Sequence, residues 1–183
     1  MKTSIVRVTL IAILTLGLAI PSVASAGWFN WGCRYQGTWF GVQSEKNLAL
    51  AGWMVTVEGK SYFYGTNNLE FTNDAFDFAL LPFPDADKVV DVTTNRGNWM
   101  RTGYNTFIYT TTGFALDADR KIVFTAKLSG HITLSDDCNS DVITGMMEIF
   151  YPENMKNPFI DEPDIGPFPI DDVYGYRAFV DLP

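Results

Sequence analysis

Hydrophobic and polar residues alternate along most of the chain from Tyr35 to Tyr151, and turn residues interrupt the alternation roughly every 8 to 15 positions. Successive side chains of a β-strand point to opposite faces of the sheet, so a period of two predicts strands with one apolar and one polar face. The pattern is clearest where Ile122, Phe124, Ala126, Leu128, Ile132 and Leu134 alternate with Val123, Thr125, Lys127, Ser129, His131 and Thr133. No stretch longer than one turn has a helical period. The pattern therefore predicts an all-β barrel or sandwich.

The two ends of the chain differ from this central region. Near the N-terminus, Lys2 and Arg7 flank the start of an apolar run from Val8 to Ile20, and the small residues Ala24 and Ala26 follow it. This is the layout of a secretory signal peptide cleaved after Ala26, and the run is shorter than the roughly 20 residues of a membrane span. Later, a segment rich in proline and acidic residues predicts an extended surface segment, after which strand character returns. The predicted organisation is a signal peptide (1–26), a barrel domain (27–151), a proline-rich acidic surface segment (152–173) and a closing strand (174–183).

The charge of the chain disfavours polyanionic partners. It has 13 basic and 21 acidic residues, a formal charge of −8. Two basic residues and no acidic ones lie in the predicted signal peptide, which leaves a charge of −10 on the other 157 residues. An acidic surface repels nucleic acid and anionic membranes. We therefore expect no nucleic-acid partner, no membrane span and a secreted protein, in the periplasm or the extracellular space; the oligomeric state stays open.

Two cysteines, Cys33 and Cys138, lie in the predicted mature chain. An even pair in an exported protein usually forms a disulfide. A redox or metal-binding role would need a Cys-x-x-Cys spacing or a histidine cluster, and neither is present. We predict a Cys33–Cys138 bridge that closes a loop of about 105 residues.

Two short motifs carry a family resemblance. Gly37-Thr38-Trp39 resembles the Gly-x-Trp start of lipocalins and their calycin relatives. A second block resembles uncharacterised bacterial lipocalin-like secreted proteins: Gly97-Asn98-Trp99, Gly103, Tyr109, Phe114, Leu116-Asp117-Ala118-Asp119, Ser129-Gly130 and Thr133-Leu134. The resemblance implies a single antiparallel up-and-down β-barrel, with Arg177 packed across Trp39 at its closed end. The second Gly-x-Trp departs from the lipocalin pattern, as does the proline-rich acidic C-terminal extension, which stands where lipocalins have a helix.

Residues for common catalytic and cofactor sites are scarce. A serine or cysteine nucleophile needs a histidine base, and the single histidine, His131, lies on the polar face of its predicted strand. Zinc or haem would need several His or Cys ligands. The paired aspartates, such as Asp117 and Asp119, fit ordinary turns better than a calcium loop. We predict no metal site and no cofactor.

Aromatic residues supply the candidates for a binding interior: Trp53, Tyr62, Tyr64, Trp99, Phe107 and Tyr109. A packed core would use such residues too, but the polar atoms of Tyr and Trp favour a cavity with one ligand. Arg101, which shares a face with Trp99, or a tyrosine hydroxyl is expected to orient a polar group of that ligand.

Three functions follow from these residues. The first is a non-catalytic barrel that binds a small, largely apolar molecule. The second is a calycin-type barrel enzyme, such as a cyclase, isomerase or decarboxylase, that acts on a small hydrophobic substrate with Glu148 as general acid or base beside Arg101 and Tyr109. The third is a structural or envelope-assembly protein that docks through the proline-rich segment.

Overall fold

The strands of the protein follow the period-two alternation of its sequence. The structure, a computed structural model, describes residues 32–43, 52–59, 63–71 and 83–178. The predicted signal peptide, Tyr62 and residues 179–183 lie outside the described residues. In the described ranges the strands are β1 (Gly37–Gln43), β2 (Gly52–Glu58), β3 (Tyr64–Phe71), β4 (Asp91–Val92), β5 (Asn95–Arg101), β6 (Thr106–Leu116), β7 (Ile122–Leu134), β8 (Ser140–Phe150) and β9 (Ile165–Arg177). Two short 3₁₀ helices, Ala86–Lys88 and Pro152–Asn154, lie in the connections.

The strand pairings form a ring. Neighbours in the chain pair antiparallel from β1 through β3, from β3 to β5, and from β5 through β9. β9 then pairs with β1, and the two-residue strand β4 extends the ladder on β6. The result is an all-β antiparallel sheet curled into a barrel-like form, as the alternation predicts. Pairing the last strand with the first protects the edges on which open sheets aggregate.

β6 shows how the sequence determines the inner and outer faces. Its residues alternate between outward positions, half-buried or exposed, and buried positions over Thr106–Ala115, and the buried set is Phe107, Tyr109, Thr111, Gly113 and Ala115. Directly paired residues of neighbouring strands lie on the same face of a sheet. The buried face of β6 therefore fixes the inward positions of β5 and β7 through their register.

One end of the sheet is closed by residues 33–36, which we call the plug. The Tyr35 side chain is buried, and its ring lies 5.7 Å from the ring of Trp99 and 5.2 Å from that of Phe107. The Trp39 indole donates a 2.9 Å hydrogen bond to the carbonyl oxygen of Tyr35. Arg177 lies across Trp39, with its guanidinium carbon 4.6 Å from the ring centroid. The plug thus completes an aromatic cluster inside this end.

The predicted disulfide is confirmed and fastens the plug. Cys33 is bonded to Cys138 in the turn between β7 and β8, with 105 positions between them in sequence and Cα atoms 5.2 Å apart. On the far side of the plug, the Cys33 amide donates a 3.2 Å hydrogen bond to Asn105 Oδ1 in the turn between β5 and β6. The plug is therefore attached to two turns at the same end of the sheet.

The opposite end contains a second apolar cluster. Phe83, Ala86 and Val89, from the connection that precedes β4, pack with Ala115, Phe124 and Ile149 of the strands. The Phe83 and Phe124 rings meet edge to face, with centroids 5.2 Å apart. The connection therefore crosses this end of the sheet. Its residues 74–82 lie outside the part that the structure describes.

The C-terminal region differs from the sequence prediction. β9 begins at Ile165, inside the predicted surface segment 152–173, although its end pairs with β1 as a closing strand should. Prolines disfavour a regular ladder, but they are tolerated at irregularities. The β8–β9 pairing shifts register between Ile143 and Gly145 and again between Met147 and Ile149, and Pro167 falls beside the second shift. These irregularities let a proline-rich sequence join the sheet.

Candidate functional site

A band of buried polar residues lies on the inner face of β3, β5 and β6, centred on Gly97. In the register of the sheet Gly97 pairs with Asn67 on one side and Thr111 on the other. Asn95 and Trp99 lie two positions from Gly97 on β5 and share its face. The side chains of Asn67, Asn95 and Thr111 are 3%, 2% and 1% exposed. We call Asn67, Asn95, Trp99 and Thr111 the polar band.

Each member of the polar band has a buried polar atom without a hydrogen-bond partner among the described residues: Asn67 Oδ1, Asn95 Oδ1, Trp99 Nε1 and Thr111 Oγ1. A buried polar group left unpaired costs about 1–3 kcal/mol. Native proteins rarely leave such groups unsatisfied, and a cluster of four on one face calls for a common partner. The band can accept hydrogen bonds through its amide oxygens, donate one through the indole, and donate or accept through the Thr111 hydroxyl.

Glycines make room for the inward polar side chains. A Cβ at Gly113 would lie 1.5 Å from Asn95 Oδ1, so the Asn95 amide occupies the space above β6 that a side chain at Gly113 would fill. Similarly, a Cβ at Gly145 would lie 2.8 Å from the hydroxyl of Tyr109. On the inner face, larger side chains therefore lie over glycines of other strands.

The inner face opposite the band is apolar. Thr111 pairs with Leu128, Leu128 with Met147, and Met147 with Phe168. Leu128 packs against the cluster at the plugged end, whereas Met147 and Phe168 pack against the cluster at the other end. The interior thus has one polar side and one apolar side, which suits a molecule that is largely apolar but carries a hydrogen-bonding group.

The structure brings together three of the aromatic residues predicted to bind a ligand. Trp99, Phe107 and Tyr109 are buried in the same cluster as Tyr35, and burial raises the pKa of Tyr109 to about 12. Tyr64 lies on the outer face instead, with 63% of its side chain exposed. Its neighbour Gly65 pairs with Trp99 on the inner face, so Tyr64 must point outward. Trp53 belongs to β2, but its side chain, like Tyr62, lies outside the described part.

Arg101, predicted to orient the ligand, binds the plug. Its guanidinium donates hydrogen bonds to the carbonyl oxygens of Cys33, Gly103 and Tyr104, and lies 4.7 Å from the Phe107 ring centroid. Arg177 does the same from the other side, donating to the carbonyl oxygens of Arg34, Gln36 and Cys138. Partial burial lowers the pKa of both arginines. Both charges therefore hold the plug and the adjoining turns.

We expect Arg101→Met to lower the free energy of unfolding by about 1–2 kcal/mol, because plug carbonyls lose a charged donor. Methionine retains the apolar stem over Phe107. Urea unfolding measures the loss, and Arg96→Met, at an exposed position of the same strand, is the control. A loss of ligand affinity without loss of stability would instead return Arg101 to an orienting role.

Glu148 is not brought together with Tyr109 and Arg101. It pairs with Lys127 in the sheet register, and its Oε2 lies 2.7 Å from Lys127 Nζ. The positions on either side of this pair, Ala126–Ile149 and Leu128–Met147, face inward, so the ion pair lies on the outer face. The two side chains are only 18% and 19% exposed, which marks a partly buried pair. A carboxylate on this face cannot exchange a proton with a molecule held beside Tyr109.

A second buried acid, Asp141, lies beneath the plug. Its side chain is 3% exposed and lies over Gly175, and neither carboxylate oxygen accepts a hydrogen bond of normal geometry from the described residues. Burial raises the pKa of Asp141 from 3.8 to about 7, although the nearby Gly175 amide and the charge of Arg177 oppose the rise. The pKa of Tyr35 is also raised, by burial and by the charge of Asp141.

Sequence reasoning missed the polar band because its members resemble turn residues. Asn67 forms part of an Asn67-Asn68 pair that suggests a turn, and Thr111 lies within a run of three threonines. One signal was available: Asn95, Gly97 and Trp99 follow a period of two, which places Asn95 on the face of an inward tryptophan.

Comparisons with protein-family models, with curated proteins and with solved structures found no match. Within the described ranges, no helix has the length and apolar character to cross a membrane. The same residues contain no group of three or more His, Cys, Asp or Glu side chains placed to hold a metal ion. The interpretation of function therefore rests on the inner face itself.

Proposed function

We propose that this protein is a secreted, lipocalin-like up-and-down barrel that binds a small, largely apolar molecule in its interior without catalysis. The single observation that carries the proposal is the polar band: four buried polar atoms without partners, facing an apolar wall. A guest with a hydrogen-bonding group and an apolar body would pair with polar atoms of the band and bury its body against Leu128 and Met147. Burial of apolar surface contributes about 25 cal/mol per Å², which suffices for useful affinity in a small ligand.

The plugged end supports a carrier. Arg177 across Trp39 is the arrangement implied by the resemblance to lipocalins, and it closes one end of the interior. A closed end limits the exchange of a bound molecule with solvent on that side of the interior. The Cys33–Cys138 disulfide fits an oxidising compartment outside the cytoplasm.

The geometry favours binding over catalysis. The outward position of Glu148 separates the proposed acid from Tyr109, and Arg101 is bound to the plug. General acid–base chemistry needs the reacting groups within hydrogen-bond reach of one substrate. We retain the carrier as the function that the contacts support best.

The test is a titration with N-phenyl-1-naphthylamine, a neutral probe whose fluorescence rises in apolar surroundings. We expect saturable binding to the wild type, and at least about 10-fold weaker binding to Thr111→Leu, because the larger inward side chain takes up interior volume and the hydroxyl is lost.

Thr112→Leu is the matched control, since Thr112 pairs with Arg96 on the outer face of the same strands. It should bind the probe as the wild type does, with both variants folded by circular dichroism. No saturable binding to the wild type, or equal affinities for the two variants, would contradict an interior site.

A further inference from the structure

We infer that the polar band selects neutral hydrogen-bonding amphiphiles, such as long-chain alcohols and primary amides, over the corresponding carboxylate anions. This inference rests on the proposed function and goes beyond it by naming the ligand class. Every unpartnered atom of the band belongs to an uncharged group: two amide oxygens, a hydroxyl oxygen and an indole nitrogen. An alcohol can donate to an amide oxygen and accept from the indole. A carboxylate can only accept, and the two amide oxygens would then face it without a donor.

Every basic side chain of the described residues is bound to groups other than the band or is exposed. Arg101 and Arg177 bind carbonyl oxygens at the plugged end, and Lys127 pairs with Glu148 on the outer face. Lys156 forms an ion pair with Asp164. The other described basic residues are exposed: Arg34, Lys88, Arg96, Arg120 and Lys121. A buried anion without a cation or several donors is strongly disfavoured.

The charge of the whole chain acts in the same direction. The formal charge of −8 repels an anion before it reaches the interior. Asp141 adds a titratable acid inside the sheet at the plugged end. The polar band thus provides hydrogen bonds but no cation of its own for a negative headgroup.

The experiment compares three ligands with the same chain length: 1-decanol, decanamide and sodium decanoate at pH 8. Each is titrated below its aggregation limit against the full chain loaded with N-phenyl-1-naphthylamine. We expect decanol and decanamide to displace the probe with at least about 10-fold higher affinity than decanoate. Thr111→Val, which removes the hydroxyl at nearly constant volume, should reduce this preference. The outer-face change Thr112→Val should leave it intact.

The outcomes separate this inference from the function on which it rests. If decanoate competes as well as decanol, the neutral selectivity is wrong while interior binding stands. If Thr111→Val and Thr112→Val both keep the full preference, Thr111 takes no part in the selectivity, and its assignment to the band is overturned. If the probe itself does not bind the wild type, the proposed function fails and the selectivity fails with it.

Discussion

Replacement of both Cys33 and Cys138 by alanine is expected to lower the free energy of unfolding by about 4–5 kcal/mol. The bridge joins residues separated by 105 positions, so its loss releases a large closed loop in the unfolded chain. Loop-closure entropy for a ring of about 100 residues contributes roughly 4.7 kcal/mol. This is a large fraction of the stability of an ordinary domain. Urea unfolding of the double variant and the wild type at equal pH measures the difference.

Reduced wild-type protein provides a check without substitution. It should unfold at nearly the urea concentration of the double variant, because both lack the covalent bond between the plug and the β7–β8 turn. A change below about 1 kcal/mol in both cases would show that noncovalent contacts, among them the hydrogen bonds of Arg101 and Arg177, hold the plug without the disulfide.

Asp141→Asn is expected to stabilise the protein by about 4 kcal/mol at pH 8 and to have little effect near pH 4. The pKa of Asp141 rises from 3.8 to about 7 on folding because burial disfavours its charged form. Between these values the folded protein binds a proton that the unfolded chain has released, so stability falls as pH rises through that window. A pKa difference of about three units corresponds to about 4 kcal/mol in the free energy of unfolding, and the wild type has lost this stability above pH 7. Asparagine cannot ionise, so the Asp141→Asn variant should lack this pH dependence of stability.

Urea unfolding between pH 5.5 and 8 tests this prediction and stays above the isoelectric point of about 4.5. Over that interval the wild type should lose about 2 kcal/mol relative to the asparagine variant. Asp136→Asn, a change in the exposed turn before β8, is the control. If the wild type and Asp141→Asn have parallel pH profiles, the buried carboxyl does not titrate in this range.

The fold was largely predictable because the alternation of apolar and polar residues in the sequence indicates the inner face of each strand. Trp99 and Phe107 occupy alternating apolar positions and lie inside, and the predicted disulfide formed. The face of Tyr64 could not be predicted from the sequence, because shifting a strand by one position moves every side chain to the other face of the sheet. Only the pairing of Gly65 with Trp99 determines that Tyr64 lies on the outer face. The start of β9 was also not predicted, because its prolines are untypical of a strand and its pairing with β8 contains register shifts.

The candidate site was less predictable because its contacts are distant in sequence. Arg101 has the expected inner-face position, but its partner, the carbonyl oxygen of Cys33, lies 68 positions away and cannot be inferred from local pattern. The polar band likewise combines three strands, and its meaning comes from the absence of partners in the described interior and not from any one residue type.

The most direct test of the central claim, that a ligand binds at the polar band, follows side-chain signals in ¹H–¹⁵N NMR spectra during addition of 1-decanol. We expect shifts for the indole N–H of Trp99 and the amide NH₂ groups of Asn67 and Asn95. The outer-face residue Asn98 should not respond, and Trp99→Phe identifies the indole signal. Shifts confined to outer-face residues, or none at saturating decanol, would contradict an interior binding site.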